Sequence, residues 1–329
     1  MKLNKILFLY LLLIYPANVL LANTGGFDTN DKNIRGFISD MVREHKFNSH
    51  RLTALFGQAH IQQSIIDAIS RPAEGKPWYE YRPIFLTRGR IQGGVRFWKK
   101  NQKILQAAEK KYQVPAHIIT AIIGVETRYG RHIGRYSVLD SLMTLAFAYP
   151  PRSRFFRGEL EQYLLMAREE NINPLKQLGS YAGAMGMPQF IASSFRSYAV
   201  DFDNNGQRDL WNSTADAIGS VANYFHRHGW QYAQPVVQRV QVQGTAYRKL
   251  LTSDLKPSLS VAELRKYGVI IPKVADESKK AILLELKGKS GPEYWLGWHN
   301  FYVISRYNHS ALYSLAVYQL GREILGAME

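Results

Sequence analysis

The stretch that decides the fold is Pro115-Ala-His-Ile-Ile-Thr-Ala-Ile-Ile-Gly-Val-Glu-Thr-Arg-Tyr-Gly130. Its isoleucines recur three and four residues apart, as on the buried side of a helix, and the proline at its start suits a first helical turn. Glu126 continues the same apolar stripe, four residues after Ile122 and three after Ile123. The pattern therefore predicts a helix that carries one carboxyl group on its buried side.

Glu126 is a candidate general acid because of these surroundings. A carboxyl group held against apolar neighbours loses the solvation of its charged form, so its pKa rises and it keeps its proton near neutral pH. The alternative is a structural glutamate that turns outward at the helix end or pairs with Arg128 or Arg131. The helix alone does not choose between these two interpretations.

Composition and the first residues indicate an exported protein that is stabilised by burial. Residues 1–22 have the features of a secretory signal: two lysines, an apolar run from Ile6 to Tyr15 and a cleavage site after Ala22. The run is short for a spanning helix, and an uncleaved membrane anchor is the alternative. The chain has no cysteine, which excludes disulfides, thiolate catalysis, zinc–thiolate sites and lipid attachment to a cysteine.

The charge of the chain favours an acidic partner. Removing Lys2 and Lys5 from 42 basic residues leaves 40 against 26 acidic ones, a net charge of +14 for the mature protein. Nucleic acid, anionic lipid and the acidic peptides of bacterial cell wall all fit this charge. No helix-turn-helix, RNP-like or zinc-finger pattern and no block of five like charges supports nucleic acid, and export disfavours it further.

The order of patterns along the chain predicts a mainly helical α+β protein. Helical spacing dominates a helical N-terminal lobe over 23–114, interrupted by an extended loop at 71–83, and it dominates again over a core at 115–234. Residues 235–304 predict a small β-rich lobe, because short β-branched runs alternate with polar turns. The expected strands lie near 236–243, 268–271, 281–286 and 300–304, and a C-terminal helix follows over 305–329.

The loop Asp201-Phe-Asp-Asn-Asn-Gly-Gln-Arg-Asp209, within the segment 201–216, has the spacing of an EF-hand calcium loop. Asn212 stands at the twelfth loop position, where an EF-hand has a bidentate glutamate. We therefore expect Asp216 to supply the last carboxylate ligand. The alternative is an Asx-rich turn without an ion. Calcium here would stabilise a loop, and its predicted ligands are Asp201, Asp203, Asn205, the backbone carbonyl of Gln207, Asp209 and Asp216.

Four motifs in one order make the chain resemble the lytic murein transglycosylase B family. They are Ala121-Ile-Ile-Gly-Val-Glu-Thr-Arg-Tyr-Gly130, Ser180-Tyr-Ala-Gly-Ala-Met-Gly-Met-Pro-Gln-Phe190, the calcium-like loop and Ala222-Asn-Tyr-Phe225, with Ser305-Arg-Tyr-Asn-His-Ser310 near the end. The resemblance runs from about Phe37 to the C-terminus. It implies a lysozyme-like helical core with an additional helical lobe, an EF-hand-like loop and a small β-rich lobe.

The resemblance also implies an activity and a set of site residues. The family cleaves the β-1,4 bond between N-acetylmuramic acid and N-acetylglucosamine and leaves 1,6-anhydro ends, with one glutamate, here Glu126, acting as acid and then as base. The chemistry needs no cofactor. Pro151 stands where a second arginine often occurs. Positions that match glycan-contacting residues are Ser180, Gln189, Tyr224, Tyr307, Asn308 and Tyr313 and, on less distinctive sequence, Tyr81 and Arg152.

Three other functions fit part of the sequence. A hydrolytic muramidase on the same scaffold would need a second acid, for which Asp140, Glu159 and Glu161 are candidates. A non-catalytic wall-binding module would not need a desolvated acid, and a calcium-dependent adhesin would leave Glu126 unexplained. The expected partners are peptidoglycan glycan strands and other cell-wall enzymes, and the expected location is the periplasm, without a stable membrane anchor.

Overall fold

The computed structural model of the protein describes residues 23–70, 76–272 and 276–329. The predicted signal segment 1–22 lies outside these ranges. Within them the fold is mainly helical with a smaller β component, which confirms the predicted fold class. None of the helices in these ranges is both long and apolar enough to cross a membrane.

Helices make up most of this fold. Two short 3-10 helices span Pro150–Arg152 and Ala246–Leu250. The α-helices are α1 Lys32–His45, α2 Ser49–Phe56, α3 Gln63–Ile69, α4 Trp78–Phe85, α5 Arg88–Lys100, α6 Gln102–Tyr112, α7 Ala116–Thr127, α8 Val138–Phe147, α9 Ser153–Glu169, α10 Ala192–Tyr198, α11 Thr214–Arg227, α12 Val261–Lys266, α13 His299–Tyr307 and α14 Ala311–Gly326.

The strands are short and antiparallel. They are β1 Asn23–Gly26, β2 His60–Gln62, β3 Tyr136–Ser137, β4 Leu178–Gly179, β5 Val237–Val242, β6 Leu259–Ser260, β7 Val269–Ile270, β8 Lys280–Gly288 and β9 Gly291–Gly297. Strands β1 and β2 pair with each other, as do β3 and β4. The remaining strands form a five-stranded sheet in the order β6-β8-β9-β5-β7.

The chain forms two compact units, and each combines segments that are distant in sequence. Among the residues described above, the first unit comprises 76–129, 221–272 and 276–329, and the second comprises 23–70 and 130–220. Helix α11 contains residues of both units. The predicted division of the chain at residues 115, 235 and 305 remains a prediction.

Helix α7 is the centre of the first unit. Eleven of its twelve residues are buried, and it packs against α5, α6 and α14. The sequence predicts a single buried stripe, but the helix is covered on nearly all sides, as is typical of a central helix. Burying each isoleucine side chain contributes about 1.5–3 kcal/mol to stability. Helix α7 is central because its apolar residues leave no polar face that could be turned toward solvent.

The carboxyl end of α7 is a left-handed turn. Arg128 and Tyr129 have φ angles of 49° and 64°. Their N–H groups donate to the carbonyl oxygens of Gly124 at 3.2 Å and Ile123 at 3.1 Å, which satisfies the last turn of the helix. Helix α7 therefore ends at Thr127, one residue after the predicted acid.

The Tyr129 ring packs between α5 and α7 against three glycines. A Cβ atom at Gly93 would lie 2.8 Å from Tyr129 Cε2, and one at Gly94 would lie 2.8 Å from the Tyr129 hydroxyl. At Gly124 the added atom would lie 2.6 Å from Cε1 and from the hydroxyl. The hydroxyl donates to the backbone oxygen of Arg90 at 2.7 Å. Small residues on both helices therefore make room for this ring.

The predicted extended loop at 71–83 is wrong over its second half. Helix α4 begins at Trp78 and contains Pro83, while residues 71–75 lie outside the described ranges. Trp78, Tyr81 and Phe85 are all buried on one face of α4. Packing of these aromatic side chains outweighs the cost of a proline near the end of a short helix.

The small lobe contains most of the predicted strands and one error. Strands β5, β7 and β8 lie where the sequence predicts strands, but the predicted strand at 300–304 is part of helix α13. Buried Phe301 and Ile304 are three residues apart, which fits a helical face. Strand β9 was not predicted, because its glycine and proline residues resemble a turn. Buried residues of the sheet, among them Val269, share one core cluster with Val261 and Leu264 of α12 and with Trp298.

The second unit is built on the pair α8 and α9. These helices pack against each other, α10 packs on α9, and α3 and β2 pack on α8. The segment after α10 forms the loop 200–213, which leads into α11. The sequence predictions for the glycine-rich segment and for the acidic loop both fall within this unit.

Gly124→Ala tests the close approach of Tyr129 to α7. The added methyl group would lie 2.6 Å from the ring, so the ring must move, and we expect the free energy of unfolding to fall by about 1–3 kcal/mol. Urea denaturation measures the change. The matched control is Gly89→Ala in α5, where the structure places no atom within 4 Å, and it should raise stability by up to about 1 kcal/mol. Equal effects of the two substitutions would contradict this packing.

Candidate active site

Glu126 lies in the last turn of α7 and is only 3% exposed. Burial raises the pKa of its carboxyl to about 8, while a hydrogen bond from Tyr313 and the charge of Arg90 act in the opposite direction. The Tyr313 hydroxyl donates to Glu126 Oε1. A carboxyl with this pKa holds its proton at neutral pH, as a general acid requires.

Tyr313 lies on α14 and is buried beside Glu126. Burial, followed by the neighbouring Glu126 carboxyl, raises the pKa of Tyr313 well above its usual value, so the hydroxyl stays protonated and donates. Tyr307 and Tyr81 act electrostatically on the same hydroxyl. Of the three tyrosines that the family resemblance singled out here, Tyr313 contacts the carboxyl group, and Tyr307 and Tyr81 act on Tyr313.

Tyr224 and Asn308 lie next to Tyr307. The Tyr224 hydroxyl donates to the Arg306 carbonyl oxygen at 2.6 Å, and its ring centroid lies 4.8 Å from that of Tyr307. The Tyr224 ring also stacks on the His228 ring, with their centroids 4.1 Å apart. Asn308 is 3% exposed, and its Oδ1 has no hydrogen-bond partner in the described chain. A buried acceptor of this kind favours a donor from a ligand or water.

Arg90 is a site residue that the sequence analysis did not identify. Its Nη1 donates to the carbonyl oxygens of Gly124 at 3.1 Å and Val125 at 3.3 Å. Its guanidinium carbon lies 5.0 Å from the centroid of the Phe85 ring. Burial, then the charge of Arg128, lowers the pKa of Arg90 to about 10. Arginines and lysines are frequent in α5, so spacing offered no signal for this one.

Ser180 and Gln189 belong to the second unit, in the glycine-rich segment 179–190. Ser180 Oγ accepts the backbone N–H groups two and four residues later, at 3.2 and 3.0 Å. Gln189 has a φ of 53°, and its Nε2 donates to the carbonyl oxygens of Ile133 at 3.0 Å and Gly186 at 2.9 Å. Both side chains therefore hold this loop in a fixed shape.

Arg152 also belongs to the second unit, at the end of the 3-10 helix Pro150–Arg152. Its guanidinium carbon lies 4.7 and 5.2 Å from the ring centroids of Phe155 and Phe156. Burial raises the pKa of Tyr181, and the charge of Arg152 acts on it in the opposite direction. Arg152 is thus an electrostatic neighbour of the residue that follows Ser180.

The acidic loop brings three of the predicted metal ligands together. One carboxylate oxygen from each of Asp201, Asp203 and Asp216 lies within 4.8 Å of the others. Asp216 is fully buried at the start of α11, where burial raises its pKa and the Asp203 carboxylate acts in the same direction. Clustered carboxylate oxygens of this kind fit the ligand set that calcium prefers.

The other predicted ligands make local hydrogen bonds. Asp209 Oδ1 accepts the N–H groups of Trp211 and Asn212 at 2.9 Å each. Asn205 Oδ1 accepts the N–H group of Gln207 at 2.9 Å. These bonds form Asx-type turns. Asp201, Asp203 and Asp216 also accept backbone N–H groups of the loop, and what distinguishes them is the grouping of their carboxylate oxygens.

The acids proposed as a second catalytic group have partners within the second unit. Asp140 accepts the His60 N–H at 3.0 Å, and Glu161 lies 3.0 Å from a ring nitrogen of His45. Glu159 accepts the N–H group of Ser193 at 3.0 Å and its hydroxyl at 2.7 Å. Each carboxylate therefore holds a neighbouring element in place.

Comparisons with known proteins identify the family of the chain. Residues 29–322 match the family described as the transglycosylase SLT domain. The chain is 41% identical over 310 residues to the membrane-bound lytic murein transglycosylase B of Escherichia coli (strain K12), a match that covers 91% of this chain and 84% of the relative.

Solved structures give the same assignment. The catenated lytic transglycosylase SltB1 from Pseudomonas aeruginosa matches with a TM-score of 0.88 and 49% identity over 91% of this chain and 99% of that one. The Escherichia coli lytic transglycosylase Slt35, solved with bulgecin A and with calcium, matches with a TM-score of 0.85 and 42% identity over 93% and 96%. The chain therefore belongs to the transglycosylase SLT-domain family of lytic murein transglycosylases, enzymes that cleave peptidoglycan with formation of anhydro-N-acetylmuramic acid.

Proposed function

We propose that Glu126 performs both proton transfers of the lytic reaction, first as general acid and then as general base. The observation that carries this proposal is the burial of its carboxyl group in the last turn of α7, which raises its pKa to about 8. The hydrogen bond from Tyr313 supports it further, because a positioned carboxyl can transfer its proton in one direction.

In the first step Glu126 protonates the glycosidic oxygen between N-acetylmuramic acid and N-acetylglucosamine. The bond from this oxygen to C1 of the muramic acid breaks, and its electron pair stays on the oxygen. Because Glu126 Oε1 accepts from Tyr313, the transferable proton is carried by Oε2. The muramic acid ring is left as an oxocarbenium-like species or an adduct of its own acetamido oxygen.

In the second step the Glu126 carboxylate removes the proton of the C6 hydroxyl, and this oxygen bonds to C1. The product is a 1,6-anhydro ring, no water is consumed, and Glu126 ends the cycle protonated. The Tyr313 hydroxyl and the Arg90 charge both favour the carboxylate form in this half of the cycle. One residue with a pKa near neutrality can therefore serve both steps.

The surroundings of Glu126 support this mechanism over a hydrolytic one. Most glycosidases position two carboxylates on either side of the bond. In the described chain, the groups that act on the Glu126 carboxyl are Tyr313 and Arg90, and neither is an acid. Asp140, Glu159 and Glu161 are engaged with other partners.

We assign glycan contacts to the residues that match the family motifs. Tyr313 contacts the acid, Tyr81 and Tyr307 act on the Tyr313 hydroxyl, and tyrosine rings suit stacking on sugar rings. The unpartnered Oδ1 of Asn308 suits a sugar hydroxyl or amide donor. The remaining assigned contacts are Ser180, Gln189, Tyr224 and Arg152, of which Arg152 would bind a carboxylate of the peptide stem.

We assign the site of action to the periplasm. The predicted signal at residues 1–22 directs export, and peptidoglycan lies outside the cytoplasm. The positive charge of the mature chain favours approach to a wall that carries carboxylates on its peptide stems. Other cell-wall enzymes are expected partners on the same grounds.

We also propose that Asp201, Asp203 and Asp216 hold calcium. The mutual distances of their carboxylate oxygens support this assignment, as does the calcium complex of the similar protein Slt35. A bound cation would offset the repulsion among three carboxylates, one of which is fully buried. Its role is to stabilise the loop 201–216 in the second unit, with no part in proton transfer.

Glu126→Gln tests the catalytic proposal. We expect turnover of purified peptidoglycan to fall by about 10²–10⁴-fold or more, because the amide cannot donate an acidic proton. Mass spectrometry of released sugars should show wild-type products lighter than hydrolytic ones by one water. The matched control is Glu323→Gln, an exposed acid on α14, which should keep wild-type activity. Reducing ends in the wild-type products, or full activity of Glu126→Gln, would refute the mechanism.

Glu126 should also make stability depend on pH. Its pKa of about 8 in the folded state exceeds the value of about 4.3 in an unfolded chain, so between these values the folded protein binds more protons. Stability therefore falls as pH rises through this interval. Glu126→Gln removes this loss of stability, because glutamine does not ionise. At pH 7 the free energy of unfolding of the variant should exceed that of the wild type by on the order of 3 kcal/mol, and near pH 4 the two proteins should be equally stable. Guanidinium unfolding at both pH values measures the difference, and an equal gain at both would contradict the raised pKa.

Calcium should stabilise the protein through the acidic loop. Thermal unfolding in millimolar calcium is expected to occur several degrees above the value measured with a chelator, because the ion binds only the folded loop. Asp203→Asn should abolish most of this increase while leaving the chelated protein's melting temperature within about two degrees of wild type. Exposed Asp254→Asn, in the first unit, is the control. An unchanged calcium response in Asp203→Asn would exclude the assigned ligands.

A further inference from the structure

We infer that Arg90 is a positioning residue for the lytic reaction: its guanidinium group holds the carboxyl end of α7 and stabilises the ionised form of Glu126. The inference rests on the proposed acid–base role of Glu126. It assigns a function to a residue of α5 that lies outside the sequence motifs of the family described above.

The contacts of Arg90 are specific to the turn that carries Glu126. Nη1 donates to the carbonyl oxygens of Gly124 and Val125, the two residues immediately before the acid. The Phe85 ring of α4 faces the guanidinium group at 5.0 Å. One planar cation is thus held between an aromatic ring and the last carbonyl groups of a helix, a geometry that suits arginine better than lysine.

The backbone of Arg90 is fixed from two directions. Its N–H group donates to the Thr87 hydroxyl at 3.2 Å, which caps the start of α5. Its carbonyl oxygen accepts the Tyr129 hydroxyl at 2.7 Å. Tyr129 lies in the left-handed turn that ends α7, so this hydrogen bond ties the backbone of Arg90 to that turn. The backbone of Arg90 is therefore held beside the end of α7, at the base of the side chain that reaches the Gly124 and Val125 carbonyl oxygens.

The charge of Arg90 has no carboxylate partner other than Glu126. Arg90 is partly buried, and none of the salt bridges in the described chain includes it, although an arginine removed from solvent normally has an acidic partner. Electrostatic attraction between Arg90 and Glu126 raises the pKa of the arginine and lowers that of the acid, so both effects have the sign of an attractive pair. The negative end of the α7 dipole is the second group that this cation offsets.

The proposed reaction explains why such a charge is needed. Burial and the negative end of the helix dipole both disfavour a carboxylate at position 126. Without an opposing charge the acid would protonate the glycosidic oxygen poorly, since its conjugate base would be too unstable. Arg90 offsets this cost without removing the proton at neutral pH, because Glu126 retains a pKa of about 8.

The groups that act on Glu126, directly or through Tyr313 and Arg90, come from five segments. Tyr313 from α14 donates to it, and Arg90 from α5 acts on it by charge. Tyr81 from α4 and Tyr307 from α13 act on the Tyr313 hydroxyl. Arg128, in the turn after α7, acts on Arg90. Among these groups, Arg90 is the one formal charge that acts on the Glu126 carboxyl in the described chain.

The test compares Arg90→Gln with Arg90→Lys in the full-length mature enzyme. On purified peptidoglycan, kcat/KM of the wild-type enzyme should fall at high pH as Glu126 loses its proton. In Arg90→Gln the same fall should occur about one pH unit higher, because Glu126 then ionises less readily. Arg90→Lys keeps the charge and loses the planar fork, so the fall should stay within a few tenths of a unit of wild type while kcat decreases at least threefold. Arg88→Gln, an exposed arginine two residues earlier, should match the wild-type enzyme in both measurements.

A direct titration separates this inference from the proposed function. Carbon NMR of protein labelled at the glutamate carboxyl carbons, with Glu126→Gln to assign the signal, reports the ionisation of Glu126 whether or not the enzyme turns over. An Arg90→Gln protein that is folded by circular dichroism and titrates at the wild-type pH would overturn the role of Arg90. If Arg90→Gln does not fold, Arg90→Lys decides: an unchanged kcat would overturn the positioning role. Full activity of Glu126→Gln would instead refute the proposed function.

Discussion

The desolvation of one carboxyl group in the last turn of α7 is the constraint on which the rest of the site depends. Burial raises the pKa of Glu126 to about 8 only because α7 is covered on nearly all sides. Helices α5, α6 and α14 provide this cover, and buried aromatic residues of α4 lie in the same unit. A helix on the surface of the molecule could not hold a protonated glutamate at neutral pH, since water would stabilise its charge.

The turn after α7 links this burial to the geometry of the site. The backbone is left-handed at Arg128 and Tyr129, and the Tyr129 ring lies between α5 and α7, where three glycines leave room for it. The ring's hydroxyl then holds the backbone of Arg90. A short sequence, Thr127-Arg-Tyr-Gly130, thus ends the helix, packs two helices together and supports the cation near the acid.

The sequence predicted the helix that carries Glu126 but few of the residues that surround its carboxyl group, for a physical reason. Helical spacing within one segment placed Glu126 on an apolar stripe, because that information is local, but it left open whether the side chain turns outward, and the structure shows that it is buried. Tyr313 contacts it from 187 residues away, so only the family resemblance could suggest it. Arg90 depends on tertiary packing alone. The errors in α4 and at 300–304 arose where burial of aromatic or apolar faces outweighed local propensity.

In the described chain no second carboxylate is among the groups that act on Glu126, and the nucleophile of the proposed reaction explains why none is needed. In hydrolysis the enzyme must hold and activate water, which a second acid does. In the lytic reaction the nucleophile is a hydroxyl of the bound sugar, so its position is set by binding the substrate, and the enzyme needs only to move one proton out and back. A cation near the acid is then more useful than another anion, because it stabilises the carboxylate between the two transfers. Tyr313 and Arg90 meet that requirement with one neutral donor and one fixed charge.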